Sequence, residues 1–383
     1  MQGAPGSKFS TYADWAVYAV FIAVVLALPL VMEDVFWLNR ISKYLVFGML
    51  GLAIALSWGY AGILNLGQGL FFGLGAYMFA MSLKLKSYTS LQQGSDKPVP
   101  DFMLWNAEPG APTELCCITP GSWLWLPFQA QGFGMIMAIV LPVCVALILA
   151  SLIFRLRVSG VYVAIITLAL VLLVRLLIID AQPVTNGFNG LTDLGWLTIG
   201  GFEFDPYLVE TYYFVAVPVC LVLLAARWLV STRAGLILQS TRDDPNRARY
   251  LGYDVAAYQI FFFSVSAGIA GFAGMLYVIA AEFAGPSFLD ITFSISMVVW
   301  AAVGGRNSLI GAAIGAILIN TIEATASETE LFKEAWKLII GLLFVLVVLY
   351  LPRGLAGLAR DGSDWLEARL ARGKTGLAQK PAE

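Results

Sequence analysis

Long apolar runs broken by short polar stretches dominate the chain. Runs of roughly 17–25 apolar residues are long enough to cross a bilayer as helices. Such runs occupy Trp15–Met32, Ile41–Trp58, Ile63–Leu83, Phe133–Phe154, Val161–Ile179, Thr211–Leu229, Tyr258–Ala281, Ser308–Ala326 and Ala335–Leu351. A shorter run, Ile291–Val303, precedes Gly304-Gly305-Arg306 and reads as a tilted or broken helix. The pattern predicts an all-α, polytopic inner-membrane helix bundle of about ten transmembrane or partly embedded segments. It divides the chain into an N-terminus at 1–14, a transmembrane domain at 15–351 and a tail at 352–383. Within the membrane domain, 84–132 is a long outer loop and 231–255 a cytoplasmic loop.

Charge orients these segments, because cytoplasmic loops carry an excess of Lys and Arg. With both termini cytoplasmic, the inner side holds Lys8, Arg155, Arg157, the arginines between 227 and 249, Arg306 and the basic tail. The outer side then holds Glu33, Asp34, Asp180, Glu203, Asp205, Glu210, Glu328 and Glu330. Lys84 and Lys86 run against this order. Trp15–Met32 lacks a basic leader and a small-residue cleavage site, so it is expected to be a retained first span.

Composition agrees and removes several functions. Hydrophobic residues make up 59% of the 383 positions and charged residues 13%, whereas a soluble domain carries about 25% charged residues. The net charge of −2 offers nothing to nucleic acid. There are no histidines, so the commonest metal ligand and general base are missing. Cys144 and Cys220 lie in apolar runs, and adjacent Cys116 and Cys117 have no metal-site spacing. Gly373-Lys374-Thr375 ends like a phosphate-binding loop, but Ala368 stands where its first glycine belongs. No catalytic residue and no metal site is expected.

Four stretches are candidates for function. The third span, GYAGILNLGQGLFFGLGAY over Gly59–Tyr77, is rich in glycine. Its Gly69 and Gly73 allow close helix approach. Asn65 and Gln68 share a face there, either joining helices or meeting a solute. PVTNGFNGL, at Pro183–Leu191, places Asn186 and Asn189 in turns, as a simple outer turn or a gate. Glu282, Asp290 and Glu323 lie at or near membrane depth, with Asn320 on the face of Glu323. The fourth stretch is the charged insert RWLVSTRAGLILQSTRDDPNRARYLGYDV, Arg227–Val255. Pro245 suits a first helical turn, with Asp243 or Asp244 as its cap and Gly252 as its stop. A short helix over Pro245–Leu251 follows, displaying Arg247 and Arg249, with Ala248 and Leu251 as apolar contacts.

Three blocks resemble the membrane subunits of branched-chain-amino-acid-type ABC importers, and within them the urea branch. They are Gly59–Tyr77, then Thr241–Gly252 followed by Ser266–Gly271, and Met297–Arg306 continuing to Gly311 and Gly315-Ala316. Trp300–Arg306 and Leu251-Gly252-Tyr253 carry the likeness to the urea branch, while Asn65 stands where the family often has serine. The resemblance implies two cytosolic ATPases, a second homologous permease and a periplasmic solute-binding protein. ATP and Mg would bind in the ATPases, with no cofactor in this chain. Arg233, Gly235, Thr241, Arg242, Asp243, Asp244, Pro245, Arg247, Ala248, Leu251 and Gly252 would form the ATPase-coupling element. Asn65, Gln68, Asn186, Asn189, Asn320 and Glu323 are the pathway candidates. Urea is the expected solute, with branched-chain amino acids or short amides as alternatives. A passive urea or amide channel needs no coupling helix, and a proton-coupled carrier would depend on an acid such as Glu323.

Overall fold

The computed structural model describes residues 8–32, 34–87 and 123–328, with isolated positions at 100, 103, 341–342, 345, 349 and 354–357. Most of the expected tenth segment, of the outer loop and of the tail lies outside the described residues. Helices α1 (Lys8–Val31), α2 (Val35–Ile54) and α3 (Gln68–Ser87) open the chain. They are followed by α4 (Gln131–Arg155), α5 (Val161–Asp180) and α6 (Val209–Ser231). Then come α7 (Arg233–Asp243), α8 (Pro245–Tyr250), α9 (Val255–Ala281), α10 (Ile291–Gly304) and α11 (Leu309–Glu328). Among the described residues, six helical stretches are long and apolar enough to span a membrane. A short antiparallel ribbon, β1 (Leu197–Ile199) with β2 (Phe202–Phe204), is an exception to the all-α pattern, pairing Leu197 with Phe204.

The third span departs from its expected limits. A helix from Ile63 is predicted, yet α3 begins at Gln68. α2 runs on into a π-helical turn, Ala55–Tyr60, and residues 61–67 are largely irregular. Gly62 has φ +71°, a left-handed conformation that ends the helix. Irregular backbone at membrane depth is tolerated where protein or a water-filled cavity surrounds it.

The centre of the bundle is α9, packed on α3, α4 and α2, while α11 packs mainly on α2 and α10. Glycines set the α3–α9 spacing. A Cβ on Gly75 would lie 2.1 Å from the Gly271 carbonyl oxygen, and one on Gly274 2.1 Å from that of Phe72. Above this crossing, Phe72 stacks edge-on against Tyr277 and Phe288 at 5.6 and 5.2 Å. Such aromatic pairs add about 0.5–1.5 kcal/mol each beyond simple burial. Outward faces of α4, α5 and α6 expose Ile148, Leu173 and Leu221, as suits helices in lipid.

Polar contacts gather at two opposite ends. At the basic end, Arg242 meets Gly59, and Tyr60 bonds the Asn307 carbonyl at 3.1 Å. At the acidic end, Lys84 donates to the Thr192 carbonyl at 2.9 Å, which accounts for a lysine on the side where the charge pattern disfavours one. Asn39 donates there to Pro206 and Ala280 carbonyls, both at 2.9 Å. These pairings join loops that an alternating topology puts on the same side.

Candidate coupling element and solute path

The charged insert folds back tightly from α6. Thr232 is extended and its hydroxyl accepts from the Gly235 amide at 3.4 Å, capping α7. Gly235 is required by closeness, since a Cβ would sit 2.2 Å from the Val230 carbonyl oxygen. Pro245 then disfavours helix at the residue before it, and Asp244 is extended at φ −151°. Asp244 Oδ1 accepts from the Asn246 and Arg247 amides at 3.1 and 3.0 Å. The cap is therefore Asp244, while Asp243 pairs with Arg242 at 2.9 Å. α8 ends at Tyr250, one residue before the expected limit, and Gly252 stops it with φ +88°.

Only part of the expected contact surface faces outward. Arg233, Arg247 and Arg249 are exposed, and Leu251 is 72% exposed. Thr241 and Ala248 are buried inside the chain, so Ala248 fixes α8 to the bundle instead of meeting a partner. Tyr250, which is not among the expected contact residues, is 92% exposed. The signal that marks it is an aromatic beside Leu251 on a short charged helix. Asp244→Ala removes both cap bonds and is expected to cost about 1 kcal/mol locally. Amide hydrogen exchange across 245–250 would then quicken about fivefold. Unchanged exchange would show that the cap does not hold α8.

Arg242 ties this element to the broken third span. Its guanidinium donates to the Gly59 carbonyl, and its Cγ fills the space where a Gly62 Cβ would lie, at 2.7 Å. Gly59 in turn presses on Arg306, whose carbonyl oxygen leaves no room for a side chain. Arg306 lies 5.1 Å over the Trp58 ring. Arg242 thus acts within the chain, between α7, the end of α2 and the α10–α11 turn.

Above this junction, Asn65 and Gln68 are fully buried. Asn65 donates to Gln68 at 2.6 Å and accepts from the Gly67 amide at 2.8 Å. Gln68 donates to the Ser266 carbonyl and hydroxyl at 3.0 and 3.2 Å. Ser266 passes the chain on to the Ala53 carbonyl at 2.7 Å. Thr167 on α5 accepts from the Leu66 amide at 3.2 Å, and Ser294 on α10 accepts from Gly69 at 3.3 Å. In this conformation the two amides join α2, α3 and α9 and face no open space.

The remaining pathway candidates lie elsewhere. Asn186 is left-handed at φ +60° and closes its turn onto the Gly190 carbonyl at 2.6 Å. Asn189 is exposed at the acidic end. Asn320 bonds back to Ala316 in its own helix at 2.7 Å, with Glu323 half-buried one turn on. The six residues therefore do not converge on one site. Glu282 accepts from Trp196 Nε1 at 2.7 Å beside an open cleft of about 720 Å³ lined also by Asp193 and Glu203. Asp290 pairs with Arg175 of α5 at 2.8 Å. Arg175 sits in an apolar run and is not among the expected site residues, although a lone arginine inside a span is itself a signal.

The chain is thus a broken, glycine-packed helical membrane bundle with a capped polar element at one end. Residues 36–348 match the family described as "Branched-chain amino acid transport system / permease component", and the chain belongs to it. It is 26% identical over 341 residues to "High-affinity branched-chain amino acid transport system permease protein LivM" of Escherichia coli strain K12. That alignment covers 82% of this chain and 69% of the relative. The protein of the same name from Salmonella typhimurium strain LT2 matches equally. "Probable branched-chain amino acid transport permease protein LivH" of Methanocaldococcus jannaschii is 28% identical over 172 residues, 43% of this chain and 52% of its own. No solved structure matches. The protein is a multi-pass membrane protein of the bacterial inner membrane and a permease subunit.

Proposed function

We propose that this chain is the membrane subunit of an ATP-driven ABC importer and that its solute is urea. Two cytosolic ATPases, a second homologous permease and a periplasmic binding protein complete the assembly, with ATP and Mg in the ATPases. The observation that carries this reading is the doubly capped α7–α8 element. It exposes Tyr250 and Leu251 at the basic end while Arg242 bonds Gly59. Positive loops face the cytoplasm, so this surface lies on the side of the ATPases. ATPase closure would push α8, and Arg242 would pass that motion to the end of α2 and the broken third span. Rigid helices sliding on glycine contacts suit such a shear.

Urea has four N–H donors and one carbonyl, which amide, carboxylate and guanidinium groups match. The likeness of Trp300–Arg306 and Leu251–Tyr253 to the urea branch supports it as the solute. A branched-chain amino acid is the second reading, favoured by the names of the relatives at 26% identity. Uptake of labelled urea and labelled leucine in cells lacking this chain separates them. Loss of ATP-dependent urea uptake with leucine uptake intact is expected. Loss of leucine uptake alone would overturn the urea assignment. Urea flux through liposomes holding this chain without ATPases would instead identify a channel.

A further inference from the structure

We propose that the pocket between the basic ends of α4 and α9, ringed by Arg155, Arg157 and Arg249, holds the phosphate headgroup of an anionic phospholipid. The inference goes beyond the importer reading and needs neither its solute nor its ATPases. The pocket encloses about 350 Å³. Arg155 ends α4, Arg157 follows in the turn, and Arg249 comes from α8. Helix length gives the depth. α4 has 25 residues and α9 has 27, about 37 and 40 Å of helix. The hydrocarbon core is about 30 Å thick, and the bilayer with its headgroups about 40–45 Å. α4 and α9 pack on each other, and Arg155 and Val255 meet at their shared end. That end therefore emerges among the inner headgroups, where anionic lipid attracts basic side chains.

Little inside the chain neutralises these cations. All three arginines are exposed, and among the described residues no carboxylate pairs with them. Arg249 donates one N–H to Asn246 at 3.1 Å, out of the five a guanidinium carries. Asp254 also lines the pocket, but its carboxylate accepts from the Ala257 amide at 3.2 Å as the cap of α9. Three positive charges thus stand against one negative. Val255 and Ala256, in the first turn of α9, line the pocket too, at a helix end that favours anions. Arg157 closes α4 at φ +59°, its amide donating to the Phe154 carbonyl at 3.1 Å. That left-handed position ordinarily takes glycine, yet here it carries a charge. Ile148, Leu152 and Arg155 recur at helical spacing on α4, and the first two are 65% and 61% exposed. A lipid phosphate at Arg155 therefore has an apolar stripe for its acyl chain, running into the membrane. An acidic surface of a cytosolic partner would have to enter the headgroup layer to reach the same arginines. Basic pockets between spans on the cytoplasmic side suit anionic headgroups.

Native mass spectrometry of the full-length chain with its co-purifying subunits tests this. The protein is held in mild detergent with equal amounts of dioleoylphosphatidylglycerol and dioleoylphosphatidylcholine. Arg155→Gln combined with Arg157→Gly removes two charges, and glycine suits the left-handed backbone. Arg233→Gln combined with Arg247→Gln removes two exposed charges outside the pocket and is the control. Each arginine near an anionic surface contributes about fivefold in affinity. Wild type and control are expected to retain phosphatidylglycerol in preference to phosphatidylcholine. The pocket variant should hold phosphatidylglycerol at least about tenfold more weakly, with phosphatidylcholine unchanged. Equal retention by wild type and pocket variant would overturn the assignment. Inorganic phosphate, compared with chloride at the same ionic strength, should leave the bound lipid in place. Displacement by phosphate would assign the pocket to a free anion and overturn the lipid. Lower ATPase recovery with unchanged lipid retention would overturn it too, by giving the arginines to the ATPases. Lipid retention is read without solute or ATP, so its failure leaves urea or leucine uptake, and with it the importer reading, unaffected.

Discussion

Gly75→Leu is expected to eliminate the folded protein from the membrane, while Gly132→Ala leaves its amount unchanged. The first carbon added at Gly75 would fall 2.1 Å from the Gly271 oxygen and 2.6 Å from the Gly271 carbonyl carbon. Both are backbone atoms of α9, so no flexible side chain can swing away. α9 cannot retreat either. Gly271 is pressed from the far side by α4, whose Ala138 carbonyl oxygen lies 2.5 Å from where a Gly271 Cβ would stand. Inserting methylenes into a packed core costs about 1–3 kcal/mol even when neighbours can adjust. Four carbons against two backbones exceed that, and approach a typical net stability of about 5–15 kcal/mol. Gly132, at the start of α4, has nothing within 4 Å of an added Cβ. Membrane-fraction amounts and elution from size exclusion in mild detergent check both variants. Normal accumulation of Gly75→Leu would mean that α3 and α9 are not held at this spacing.

The membrane helices are legible in the sequence because hydropathy reports burial in lipid directly. α5 at Val161–Asp180 and α10 at Ile291–Gly304 fall within a residue of the runs that predict them. The start of the third span is not legible in that way. Ile63 and Leu64 continue the apolar pattern, but Gly62 is left-handed and Gly67 packs against the Thr167 backbone. Close approach of backbones leaves no trace in hydropathy. The short helix in the insert is legible from its caps, since proline and aspartate act locally. Which of its apolar residues point outward is not, because that depends on where α9 and α7 lie beneath it. The roles of Asn65 and Gln68 likewise depend on Ser266 in a helix far along the chain. Arg175 and Asp290 are joined only by the fold.

Tyr250→Asp combined with Leu251→Asp is expected to cut ATP-dependent uptake at least about tenfold without lowering the amount of protein in the membrane. These side chains are the largest apolar groups exposed on α8 and its C-terminal edge. Fully burying one such side chain against a partner contributes about 1.5–3 kcal/mol, and tyrosine is frequent among the residues that dominate interfaces. Losing both would weaken the proposed ATPase contact by about 3 kcal/mol or more, roughly a hundredfold. The fold should tolerate the change, because neither side chain is buried and the Asp244 cap and Gly252 stop are untouched. Arg247→Ala should cost far less, as an exposed charge contributes about 0–1 kcal/mol. Ala248→Asp is a different case: Ala248 is buried within the chain, so that variant should lower the amount of protein itself. Co-purification of the ATPases with each variant, alongside uptake, separates a lost contact from a lost fold. Full uptake and full ATPase recovery with Tyr250→Asp/Leu251→Asp would move the coupling surface away from α8. The exposed α7 face around Arg233 and Leu236 would then be the remaining part of the insert able to carry it.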